Sequence, residues 1–246
     1  MQRWTSSYRF EWTPIVTFGR RQIRFLDWIE ENLEPVAFYD QVGVTGVALV
    51  SRNVRLTLDQ RGMTLQDGSA VDAGVSLLMP AVRGVFEILE PKGAQLHSAS
   101  VAWSRGIDHV AYNEARASLA RSISRIGLND SGPLAIDVSA LMDIATPAYK
   151  GQVEWGVVSA DELIDRLSVP EAGRLSSNRP EAELPGIDAG DLPESSLFVD
   201  TSFRATSSEL IDSAQGIADA VDDVNRVSMS TADAIFAGTE ELWGKK

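Results

Sequence analysis

Apolar and polar side chains alternate from residue 54 to 58. Val54, Leu56 and Leu58 are set against Arg55 and Thr57, which predicts a half-buried antiparallel strand. The runs VGVTGVALVS before it and GMTLQ after it complete an expected three-stranded meander over 42–66, with turns at Arg52-Asn53 and Arg61-Gly62. Upstream, YRFEWTPIVTF (8–18) is rich in aromatic and β-branched residues and predicts an extended segment. RRQIRFLDWIEENLE then turns helical, with Ile23, Leu26 or Phe25, Ile29 and Leu33 inward and Pro35 as the stop. In 71–90 the residues Val71, Val75, Leu78, Val82, Val85 and Leu89 form one apolar stripe at alternating spacings of four and three, interrupted by Pro80 and Gly84.

The second part repeats this mixture. QLHSASVAWS alternates as a strand, and HVAYNEARASLARSISRIGL predicts an amphipathic helix with Tyr112, Ala115, Leu119, Ile123 and Ile126 inward. LAIDVSALMDIA, QVEWGVVS and SLFVDTSFRAT predict three more strands. SADELIDRLS opens with a capping box, Ser159 with Glu162, and TSSELIDSAQGIADAVDDV with another, Thr206 with Glu209. In the latter helix, expected over 207–225, Leu210, Ala214, Ile217, Val221 and Val224 form the inward stripe. STADAIFAGTEELWG predicts a separate final helix. Four prolines among glycine, serine and acids make 169–195 an expected flexible loop. Strands come in runs without strict alternation with helices, so the expected class is α+β, antiparallel sheets packed on long amphipathic helices. The order suggests two similar halves, 1–95 and 96–246, although residue identity between them is too low to establish a duplication.

Composition changes this picture in one respect. The chain of 246 residues has ordinary globular hydropathy and a net charge of -13, but the charge is uneven. Residues 1–125 carry 14 basic and 13 acidic side chains, whereas 126–246 carry 8 and 22. An acidic second half repels phosphate and attracts basic surfaces, so nucleic acid is an improbable partner and a basic protein surface a suitable one; plain solubility is the competing reading. Zero cysteines exclude disulfides and thiolate chemistry. No apolar run is long enough to span a bilayer, and the first residues lack the pattern of a signal peptide, so a cytoplasmic protein is expected.

The segment SLFVDTSFRATSSELIDSAQGIADAVDDVNRVSMSTADAIFAGTEELWG, together with VAYNEAR, resembles an uncharacterised, sporadically distributed bacterial family of similar length. The resemblance implies a bacterial source and carries no catalytic residues.

The candidate chemistry is sparse. His97 and His109 are the two histidines; they lack metal-ligand spacing, and with no cysteine present no metal and no cofactor are expected. The VGVTG run lacks a dinucleotide fingerprint, and no Walker lysine or nucleophile elbow occurs. Asp137, in an apolar strand, is the best candidate for a perturbed carboxyl, and with His97 and Arg105 it defines a conceivable pocket. Arg20, Arg24 and Trp28 share one helical face, and Asp219, Asp222 and Asp223 lie on an expected exposed face; these six are the candidate partner surface. The expected function is that of a non-catalytic protein-binding or adaptor protein, in a defence or toxin-neutralising setting. The alternative is a small-ligand-binding or hydrolytic α+β domain with its pocket between sheet and helices.

Overall fold

In the computed structural model the described residues are 1–33, 35–41, 43–51, 54–68, 74–107, 110–123, 139–167, 176–177 and 192–243. They form one antiparallel sheet of ten strands, with helices on both faces, an α+β architecture. In chain order the elements are β1 (Gln2–Glu11), α1 (Phe18–Leu33), β2 (Ala37–Gln41), β3 (Val44–Ser51), β4 (Val54–Asp59), β5 (Gly62–Asp67), α2 (Met79–Gly84), β6 (Gln95–Gly106), α3 (Tyr112–Ile123), β7 (Ser139–Ala145), β8 (Tyr149–Ser159), α4 (Ala160–Leu167), β9 (Ser176–Ser177), β10 (Ser195–Ala205) and α5 (Ala214–Trp243).

The sheet is built outward from the β1–β6 pair. On one side the order is β1-β5-β4-β3-β2-β9, and on the other β6-β10-β8-β7. In both directions the central strand is followed by the last long strand before a helix, β5 or β10, then by earlier ones, with the two-residue β9 added at the β2 edge. The residue boundary at 95/96 therefore falls where β6 begins, and the ladder runs unbroken across it.

Alternation assigns the faces. Ser6 and Tyr8 lie opposite Val101 and Ala99, and Val199, Thr201 and Phe203 continue that face on β10. It is covered by α1, α2 with its flanking helical turns, α3 and α5, and it holds the main core, including Tyr8, Phe10, Phe25, Ile29, Leu56, Leu65, Val82, Phe203, Ile217 and Phe236. Burying such side chains stabilises by about 1.5–3 kcal/mol each. The opposite face is polar over most strands. Among the described residues α4 is the helix that packs on it, through Leu163 against Trp4, Ala102, Val158 and Phe198. Trp4 reaches that face because a bulge leaves it unopposed between Arg3↔Trp103 and Thr5↔Ala102, and its indole donates to Ser104 at 2.6 Å.

Several expectations need correction. The first strand begins at Gln2 and ends at Glu11, so the extended reading of 8–18 was displaced toward the C-terminus. The five residues Ala37–Gln41 form β2, too short a run after Pro35 to stand out. On α1 the inward stripe is Phe18, Gln22, Phe25 and Ile29, and Ile23 is 63% exposed. Gln22 wins the inward position because its amide donates to the buried Thr45 hydroxyl at 2.6 Å. The 71–90 stripe holds for Val75, Leu78, Val82, Val85 and Leu89, all buried, but the helix is broken into a 3-10 turn (Val75–Leu78), α2 and a π-helical turn (Val85–Leu89) that ends at Glu90 in the left-handed region. Val71 lies outside the described residues.

The last helix is one continuous element of 30 residues, about 45 Å long. Nothing in VNRVSMSTAD, such as Pro or paired Gly, breaks it. It starts at Ala214, not 207, and Ser213 rather than Thr206 accepts from a first-turn amide, that of Gly216, at 3.2 Å. Leu210 is accordingly 65% exposed, not core. Conversely, the Ser159–Glu162 capping box forms in both directions, at 3.2 and 2.9 Å. In the expected loop 169–195, Ser176–Ser177 pair with β2 and Ser195 opens β10; 168–175 and 178–191 lie outside the described residues. No described helix is long and apolar enough to cross a membrane.

Candidate functional site

The segment from Ala205 to Ser213 builds a cavity where β10 hands over to α5. After β10 ends, the Thr206 amide donates to the Ala148 carbonyl and its hydroxyl to the Pro147 carbonyl, both at 2.9 Å. Five residues on, the Ile211 amide donates to Ala94 at 2.7 Å. These tethers hold the segment as an arch between the start of β8 and the start of β6. Beneath it lies a cavity of about 290 Å³.

Its apolar wall is Leu96, Ala148, Ala205, Leu210, Ile211 and Ala220. Four carboxylates also line it: Glu209 and Asp212 from the arch, Asp219 and Asp223 from the first turns of α5. No Lys, Arg or His is among the lining residues. Tyr149, at the start of β8, forms the floor. Its ring packs 5.8 Å from Phe203, and its hydroxyl donates to the Asp223 carboxylate at 2.6 Å. Burial, then the bond to and charge of Asp223, push the Tyr149 hydroxyl well above its ordinary pKa, so it stays a donor at any physiological pH. Arg226, one helical turn along, also pairs with Asp223. Asp219 accepts from Gln215 at 2.8 Å. Asp223 is thus satisfied, whereas Glu209 and Asp212 are exposed at the mouth. Such a concavity suits a cation carried on an apolar stem: carboxylates meet the charge and the aliphatic wall meets the stem.

The structure brings together some of the residues singled out in the sequence and separates others. Asp219 and Asp223 line the cavity. Asp222 is exposed and lies outside the lining. Asp223 is not the solvated surface carboxylate expected, because the helix stripe turns it toward Tyr149. Arg20 and Arg24 are exposed on α1. Trp28 is half-buried in the packing of α1 on α2: its ring lies against Gly84, where a Cβ would fall 2.5 Å from Cζ3. That contact explains a glycine inside a helix.

His97 and Arg105 do not converge. His97 is the extra residue of a bulge, between Arg9↔Ser98 and Phe10↔Leu96, and its Nδ1 lies 3.5 Å from Glu11. Arg105 is eight residues along the same strand, roughly 26 Å away. It stacks 4.8 Å over Phe236 and pairs with Glu240 at 3.3 Å. Asp137 and His109 lie outside the described residues. Among the described residues no group of three or more His, Cys, Asp and Glu is gathered to hold a metal ion. The sequence reading missed Tyr149, Glu209 and Asp212. The Leu210-Ile211 pair between Glu209 and Asp212 was the available signal, concealed by the capping-box reading of Thr206.

No family model and no curated protein matches this chain. Among solved structures, a rolling circle replication initiator protein from Geobacillus stearothermophilus is similar with a TM-score of 0.32 and 10% identity, over 98% of this chain and 85% of that one. A score that low carries neither topology nor function across.

Proposed function

We propose that this chain is a binding protein that receives a basic side chain of a protein partner in the cavity at the start of α5. The observation that carries the reading is the lining itself: four carboxylates over an apolar wall, with Asp223 paired to Arg226 and no Lys, Arg or His among the lining residues. A lysine or arginine side chain fits it, charge outward to Glu209 and Asp212 and stem against Leu96 and Ala148. The uneven charge supports the same sign of partner, since the half that holds the cavity is the acidic one. A cytoplasmic bacterial setting with a role in defence or toxin neutralisation belongs to this proposal through the family resemblance and the cysteine-free sequence. Nucleic acid is disfavoured by the net charge of -13.

A second reading keeps the cavity and changes the occupant. Its volume of about 290 Å³ lies at the lower edge of small-molecule sites, so a free organic amine is the competing ligand. One experiment tests both. Binding of a lysine- and arginine-rich peptide and of a small diamine is measured by calorimetry on the native chain, on the Glu209→Gln, Asp212→Asn, Asp219→Asn triple variant and on Asp222→Asn. The protein-binding reading expects peptide affinity that weakens with salt, falls about tenfold or more in the triple variant, and is nearly unchanged in Asp222→Asn. Equal loss in Asp222→Asn, or no loss in the triple variant, refutes the cavity as the site. Saturable binding of the diamine with none of the peptide moves the assignment to the small ligand.

A further inference from the structure

The opposite face of the same two strands carries a second arrangement. In the β8–β10 ladder Asp200 lies directly opposite Glu154, and directly opposed residues share a face with Cβ atoms about 4.5–5.5 Å apart. On its other side Asp200 faces Ala102 of β6, which offers no donor from its side chain. Helix α4 lies on this face. Leu163 anchors it in the cluster with Trp4, Ala102, Val158 and Phe198. Arg166, in its last turn, sits 5.3 Å over the Phe198 ring and 3.5 Å from the Glu154 carboxylate. Two neighbouring carboxylates thus share the cation supplied by α4, and like charges directly opposed across a ladder destabilise it.

The other charged groups around Asp200 are otherwise engaged or remote. On α4, Asp161 and Asp165 are exposed, and Glu162 closes the capping box with Ser159 and accepts from the Tyr112 hydroxyl at 2.9 Å. On the strands, Lys150 and Arg204 share the face four residues further along, roughly 13 Å away. Arg9 of β1 pairs with Asp59 at 2.8 Å.

We propose that the Asp200–Glu154 pair is a pH-sensitive catch for α4: a proton held on the pair tightens the helix on the sheet, and its loss loosens the helix. With the proton present, Arg166 neutralises the remaining carboxylate and one carboxyl can donate. Without it, the helix packed over Ala102 holds a second charge away from water, a cost that Arg166 offsets only in part. Burial first, then the Glu154 charge, raises the Asp200 carboxyl from its ordinary range to about 6, with Arg166 opposing. Because the docked form holds the proton more strongly than the released form, docking is tightest below about pH 4. It weakens as pH rises from about 4 to about 6 and is constant above that.

The test is backbone hydrogen exchange over 160–167, corrected for intrinsic rates, at about pH 5 and about pH 7.5. The native chain should lose protection over α4 by about tenfold between the two. Asp200→Asn, which mimics the protonated form, should keep α4 protected at both. Glu154→Gln should shrink the difference. A carboxyl-carbon resonance of Asp200 titrating near 4, α4 protection independent of pH, or a native-like difference persisting in Asp200→Asn would each overturn the proposal.

Discussion

Asp223 and Asp200 lie on opposite sides of the β8–β10 ladder, and the molecule treats them in opposite ways. Asp223, on α5, receives a tyrosine hydroxyl at 2.6 Å and an arginine. Its charge is supported, and it fixes the floor of a cavity. Asp200, on β10, faces alanine on one side and another carboxylate on the other. Its charge is opposed, and burial favours its proton. The same side chain therefore anchors a cavity floor in one place and is a titrating group in the other. For Asp200 burial decides first and the neighbouring carboxylate second.

The comparison depends on the ladder that separates the two regions, so the largest effect should come from damaging it. Phe203 is buried on the cavity side of β10 and packs at a tilt against the Tyr149 ring. Phe203→Ala should cost about 3–5 kcal/mol of global stability in urea denaturation, and should loosen α4 less than it loosens Tyr149. Equal loss on both faces would show that the regions are not separable.

Next is the sign of the Asp200 effect. Its raised pKa means that the folded chain loses stability as pH rises from about 4 to about 6 and holds constant above. Asp200→Asn should therefore stabilise at neutral pH by an amount on the order of 1–3 kcal/mol and remove that slope. Destabilisation at pH 7 would mean that the charge is supported after all, and the contrast with Asp223 would vanish.

Tyr149→Phe removes the donor that distinguishes Asp223. It should cost about 1 kcal/mol at neutral pH. The Tyr149 pKa is raised in the fold, so the native chain loses this tyrosine's contribution as pH rises above about 10. The phenylalanine variant should show a flatter alkaline limb when melting temperature is followed against pH. The smallest effect belongs to Asp222→Asn, exposed and outside the cavity, with a stability change within about 0.5 kcal/mol. A larger change would place Asp222 in the network around Asp223.

Much of the fold was legible because periodicity reports burial. Leu56 and Leu58 alternate and are buried, and the stripe from Val75 to Leu89 survives even though the helix is broken three ways. Where the sequence misled, a tertiary partner outweighed a local pattern. Gln22 displaced Ile23 because Thr45 offered it a hydrogen bond, and Thr206 left its capping role because Ala148 and Pro147 held it. The cavity was half legible. Asp219 and Asp223 were singled out as charges, but their convergence with Tyr149, some seventy residues earlier, depends on strand pairing that no local window contains. The Asp200–Glu154 pair was invisible for the same reason: only the register of β8 against β10 places the two side by side.

The central β1–β6 pair has a consequence for how the chain folds. Hairpins such as β4–β5 can close as soon as they are made, but β1 must wait for β5, some 55 residues on, and for β6, some 90 on. Both strands then wait again for α5, which supplies Asn225 to the Tyr8 hydroxyl and Ser228 to the Trp103 indole. The middle of the sheet, first in sequence, is thus last to be completed. Closing loops of that length before any contact rewards them makes folding slow. During synthesis the aromatic surface of β1 and β6 stays uncovered until the final thirty-residue helix has emerged, which makes that interval the one in which a chaperone or a neighbouring nascent chain competes for it.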